Sequence, residues 1–125
     1  MKKVFVLAAL AVTVFASSSV FAHGEKAKHG GIVQESSNGV SLELVAKEGR
    51  ATIYVEDHGK PVATSGAIGK LTVLNGTDKS EVPLEPAGEN TLISKGDAKL
   101  ASGAKVIAAI TLADKKTANV RFAIK

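Results

Sequence analysis

Through most of the chain, apolar and polar residues alternate at period two, the spacing of strands with one face buried and the other in water. Val40, Leu42 and Leu44 fall on one face, Ser41 and Glu43 on the other. After a turn at Glu48-Gly49, Ala51, Ile53 and Val55 alternate with Thr52, Tyr54 and Glu56. Glu43 and Glu56 belong to the polar phase, so both are expected on a solvated face. Asp57-His58-Gly59-Lys60-Pro61 then breaks the pattern, because glycine supplies unusual φ and proline cannot donate to a ladder. His58 is therefore expected at a loop tip or strand end. Leu71 and Val73 begin the next alternation, which reaches Asn75-Gly76, the strongest short hairpin signal in the chain. The return strand, Glu81 through Val82 to Leu84, contains Pro83 and stops at Pro86, which predicts a sheet edge. Thr91 to Ser94 reads as a short strand. Val106, Ala108, Ile110 and Leu112 are expected to pair across Asp114-Lys115-Lys116 with Ala118, Val120, Phe122 and Ile124.

About seven short strands, with turn signals about every 8 to 12 residues, imply an all-β fold. The expectation is a single immunoglobulin-like antiparallel β-sandwich over residues 32–125, with a small closed barrel as the alternative. The Cys and Trp hallmarks of antibody domains are missing, so the expectation concerns architecture alone. No segment after residue 22 sustains a 3.6-residue period, which predicts no long helix.

Residues 1–22 have the three parts of a secretory signal peptide. Lys2 and Lys3 form the positive region, Val4 to Ala16 the apolar region, and Ser17 to Ala22 a polar approach to a small-residue cleavage site at Val20 and Ala22. Cleavage after Ala22 leaves His23 as the first residue; a rival cut after Ala16 leaves Ser17. The apolar region is short of the roughly 20 residues a spanning helix needs, so no membrane span is expected after processing. The chain is expected in the periplasm.

Export permits disulfides, yet the chain has no cysteine, and its one methionine is Met1. Thiolate and thioether ligands are thus removed, and with them soft Cu(I) chemistry; imidazole, amine and carboxylate ligation remains. Two of the 16 Lys and Arg residues fall in the signal, leaving 14 against 12 Asp and Glu. That near-neutral balance, with no basic run and no set of stacking aromatics, predicts no nucleic-acid partner.

The candidate chemistry rests on three histidines. His23 and His29 lie on a Gly- and Lys-rich arm, residues 23–31, which lacks an apolar pattern and is expected to be flexible. An N-terminal His23 would offer its α-amine and imidazole together, a bidentate chelate for a borderline ion such as Cu(II) or Zn(II). His58 shares its turn with Asp57, which could ligate a metal itself or hold the imidazole. The candidate metal residues are accordingly His23, His29, His58 and Asp57. A frayed, solvated terminus and a plain polar turn explain the same residues without a metal. No nucleophile elbow, phosphate-cradling loop or acid-base pair is evident, and no enzymatic activity is expected.

The segments His29-Gly30-Gly31-Ile32-Val33, Val40-Ser41-Leu42-Glu43-Leu44-Val45 and Tyr54 to Val62 resemble small periplasmic proteins of proteobacteria. Leu71 to Gly76 and Leu100 to Lys105 are similar too. Those proteins in turn resemble the N-terminal β-domain of heavy-metal efflux adaptor subunits of the cobalt-zinc-cadmium type. The resemblance implies a periplasmic sandwich with a histidine-bearing N-terminus, associated with metal resistance and efflux. The hairpin, lipoyl-like and barrel domains of such adaptors are missing from this chain. Two functions are carried forward: a periplasmic divalent metal-binding protein that buffers or hands over Cu(II) or Zn(II), its partner a metal efflux adaptor or other envelope protein, and a metal-independent envelope interaction module that docks through a sheet edge.

Overall fold

The computed structural model of the chain describes residues 26–125, so the expected signal peptide, its cleavage site and His23 lie outside the described residues. Those residues form nine strands and no helix: β1 (Ile32–Glu35), β2 (Val40–Lys47), β3 (Arg50–Asp57), β4 (Lys60–Pro61), β5 (Ile68–Asn75), β6 (Asp78–Pro86), β7 (Thr91–Ser94), β8 (Lys105–Thr111) and β9 (Thr117–Ala123). All pairings are antiparallel.

Eight strands make one unbroken hydrogen-bonded path, β1-β2-β3-β7-β6-β5-β8-β9, with β4 appended to β3. An immunoglobulin-like sandwich keeps two ladders apart, so this nearly closed sheet lies nearer the small barrel weighed as its alternative. It shares with sandwiches a Greek-key connection: β5, β6 and β7 are successive neighbours, and β8 returns to lie beside β5.

Tight turns set the registers. Lys47 pairs with Arg50 and Asp57 with Lys60. The two central residues of each turn, Glu48-Gly49 and His58-Gly59, all have positive φ. That is the type I′ geometry whose twist matches the flanking strands. Asn75 closes on Asp78 around Gly76, as the hairpin signal predicts. In the last hairpin Val106 lies opposite Phe122, Ala108 opposite Val120 and Ile110 opposite Ala118. The expected faces meet, but two residues away from the register in which Leu112 would pair with Ala118 and Val106 with Ile124, because the loop runs from Leu112 to Lys116.

Alternate residues of every long strand point inward, and Leu42, Leu44, Ile53, Val55, Leu71, Val73, Leu92, Val106, Ile110 and Phe122 form one buried core. Burial on the order of 25 cal/mol per Å² of apolar surface is what holds a chain without disulfides. The expected edge holds only in part: β5 flanks one side of β6 and β7 covers Leu84 to Pro86 on the other, while Asp78 to Val82 pair with no strand on that second side among the described residues. Pro83 is tolerated for a local reason. Its carbonyl accepts from Lys95 N at 2.9 Å, so its donorless nitrogen points to the same side, where β7 has already ended at Ser94.

The two ends of the path, β1 and β9, face each other with no backbone hydrogen bond between them among the described residues. One end of this seam is bridged by Asn38 Nδ2, which donates to Thr117 O at 2.8 Å. The other end opens into a groove lined by Ile32, Leu44, Ala46 and Ile124.

Candidate functional site

From Val40 to Leu44, β2 is buried on both faces, although its sequence alternates in the manner of a half-exposed strand. The inner face meets the core; the outer face, with Ser41 and Glu43, is covered by the segment leading into β1. Glu43 is only 6 % exposed, which overturns its expected place on a solvated face. Its burial is supported by a full set of donors. Oε1 accepts from Lys28 N and faces His29 Nδ1, both at 3.0 Å, while Oε2 accepts from His29 N at 2.8 Å and Gly31 N at 2.9 Å. A buried carboxylate with all these bonds filled avoids the several-kcal/mol penalty of an uncompensated charge.

Two glycines let the arm lie this close. Gly30 has φ +77, a conformation side chains rarely adopt. At Gly31 a Cβ would collide with the carbonyl oxygen of Leu44. Glu56, one cross-strand pair further along the same face, is also mostly covered and takes Lys28 Nζ at 2.8 Å. The imidazole of His29 lies flat on the Tyr54 ring, centroids 3.5 Å apart and planes within 3°.

Burial alone would push the Glu43 carboxyl up, but the His29 imidazole and the N–H groups of Gly31, Lys28 and His29 outweigh it and bring its pKa below the ordinary value. Glu43 is therefore ionised at neutral pH and can only accept hydrogen bonds, so Nδ1 of His29 must carry a proton. In the neutral ring this leaves a lone pair on Nε2, which has no hydrogen-bond partner among the described residues. The His29 side chain as a whole is 40 % exposed.

His58 occupies the expected turn, at φ +52. Its Nδ1 is bonded to Asp57 Oδ1, and the ring lies over Gly39, where an added Cβ would stand 2.6 Å from Cε1. Asp57 Oδ2 accepts from Lys116 Nζ at 2.8 Å. Lys116 first, then His58, hold the Asp57 carboxyl below its usual range. With one oxygen on each partner, Asp57 holds the imidazole and ties β3 to the β8–β9 turn.

The two described histidines do not share a site. His29 rides on Tyr54, whereas His58 extends from the end of β3, three residues or roughly 10 Å further along the strand. Among the described residues no three His, Asp or Glu side chains converge as a metal-binding group. Sequence reasoning missed Glu43 and Tyr54, the residues that seat His29. The available signal was the Gly30-Gly31 pair before β1, which marks a close backbone approach.

No protein-family model matches the chain, and neither does any curated protein sequence. Among the described residues no helix is long and apolar enough to cross a membrane.

Proposed function

We propose that the protein is an exported, periplasmic binder of a divalent ion, Cu(II) or Zn(II), that buffers the metal or hands it to another envelope protein. The observation that carries this reading is the orientation of both described histidines. Each bonds through Nδ1 to a carboxylate, Glu43 or Asp57, which leaves Nε2 as the nitrogen for a ligand; in His29 it has no hydrogen-bond partner among the described residues, while in His58 it lies beside Gly39, 2.7 Å from where a Cβ would stand. Imidazoles that ligate metals are commonly held in this way, since the carboxylate sets the tautomer and raises ligand basicity. The donor set fits a borderline cation: imidazole nitrogen with carboxylate and amine, and no thiolate.

In this reading His29 supplies one ligand and His23, freed by cleavage after Ala22, supplies its α-amine and imidazole from the same arm. His58 is a separate, single imidazole. The resemblance to the N-terminal β-domain of heavy-metal efflux adaptors supports a role in metal resistance and an adaptor as the recipient. Titrating the protein that begins at His23 with Cu(II), Zn(II) and Ni(II), in competition with a chelator of known affinity, tests it. Stoichiometric binding lost in His29→Ala is expected; unchanged binding in a variant lacking all three histidines overturns it.

One observation favours docking instead. The unbonded seam between β1 and β9, with its apolar groove, offers a strand edge for a partner. Capture of an adaptor by metal-free protein carrying the triple histidine substitution would select this reading.

A further inference from the structure

The contacts of Glu43 tie two events together. Its Oε1 faces the His29 ring and also receives Lys28 N, and its Oε2 receives His29 N and Gly31 N, so one buried carboxylate holds both the imidazole and the backbone of the arm. Tyr54 fixes the plane of the same ring by stacking. The ring cannot keep its Nδ1 bond if the arm lifts, and an arm without that bond loses one of four contacts to the carboxylate.

We propose that Glu43 is a positioning residue that couples metal binding at His29 to docking of the arm, so that a metal-loaded arm is a closed arm and a released arm is a poor ligand. This rests on the metal-binding reading above and adds its regulation. The physical link is the ring itself. A cation on Nε2 draws electron density from the imidazole and makes Nδ1–H a stronger donor to Glu43, while the carboxylate makes Nε2 a better ligand. Because the two equilibria share one free energy, docking must raise metal affinity by the same factor by which metal favours docking. A partner that takes the metal would therefore be helped by peeling the arm from β2.

Three measurements on the protein beginning at His23 test this. Zn(II) affinity is measured by chelator competition, amide exchange is followed over residues 26–33 with and without Zn(II), and imidazole nitrogen shifts report the His29 tautomer. Zn(II) should slow exchange at the His29 and Gly31 amides. Glu43→Gln should lower affinity about 10- to 100-fold and move His29 away from the Nδ1–H tautomer. Since Glu43→Gln could also disturb the fold, Gly31→Ala provides a second route: it displaces the arm from Leu44 while leaving Glu43 and His29 intact, and should lower affinity likewise. If native protein binds Zn(II) and both variants bind it equally well, the coupling is overturned and the metal reading stands. If Zn(II) binds native protein without slowing those amides, the coupling again falls. If native protein binds no Zn(II), the metal reading fails and takes the coupling with it.

Discussion

Glu43 and His29, fourteen residues apart in the chain, meet at 3.0 Å on the outer face of the sheet, and the backbone around His29 closes on the same carboxylate. This contact turns a polar strand position into the anchor of the N-terminal arm. It also gives the arm a pH dependence whose sign can be worked out. The Glu43 pKa in the folded protein lies below the ordinary value of 4.5. The stability it contributes is fully present above that ordinary value and is lost as pH falls through the lower folded value. Protection of the amides at residues 28–31, taken relative to their intrinsic exchange at each pH, should fall on acidification in that range, and Glu43→Gln should flatten the dependence. A native profile as flat as the variant's would refute the assignment.

Phe122 is 2 % exposed and lies opposite Val106 in the final hairpin. Phe122→Ala should destabilise the fold by about 3 to 5 kcal/mol through lost burial and the cavity left behind. Chemical denaturation measures this. A midpoint shift worth under about 1 kcal/mol would mean that the ring is not in the core.

Gly39 and His58 pack against each other from neighbouring turns, and each has positive φ. Gly39→Ala should cost stability mainly through backbone strain, with a smaller steric part, because the imidazole its Cβ would meet at 2.6 Å is the exposed end of a side chain that can turn aside. Adding His58→Gly should recover the steric part and leave the backbone part, giving a favourable coupling in a double-mutant cycle. Fully additive effects would place the ring elsewhere. His58→Asn is the suitable probe of metal binding at this turn, because asparagine tolerates the left-handed conformation better than alanine does.

The proposed terminal chelate depends on processing. Intact mass of the protein recovered from a periplasmic extract should correspond to a start at His23, as Val20 and Ala22 predict. One extra residue ahead of His23 displaces the α-amine while keeping the imidazole, and should weaken Cu(II) binding in chelator competition. A mass showing a Ser17 start, or an extended protein that binds as tightly as the native one, removes the amine from the site.

The local structure of this chain is written locally. Period-two alternation marks β2, β3, β8 and β9, and the pairs Glu48-Gly49 and Asn75-Gly76 set where strands reverse, because both signals act through the backbone and neighbours of the residues themselves. The same local rule placed His58 in a turn and turned Val106 and Phe122 to the same face of the last hairpin, although the exact register there differs by two residues. Where these hairpins dock is a different matter. That β7 sits between β3 and β6, and β8 beside β5, depends on how the whole apolar surface is best enclosed, and no short stretch of sequence encodes it. Pro83 reads as an edge marker by itself, but only the end of β7 at Ser94 shows that the edge covers just part of β6, with Leu84 to Pro86 paired on both sides. Glu43 is the sharpest case. A glutamate in the polar phase of a strand looks the same whether it faces water or backbone amides, and what decides between them is an arm that arrives from outside the strand, carrying the N–H groups that replace the lost water.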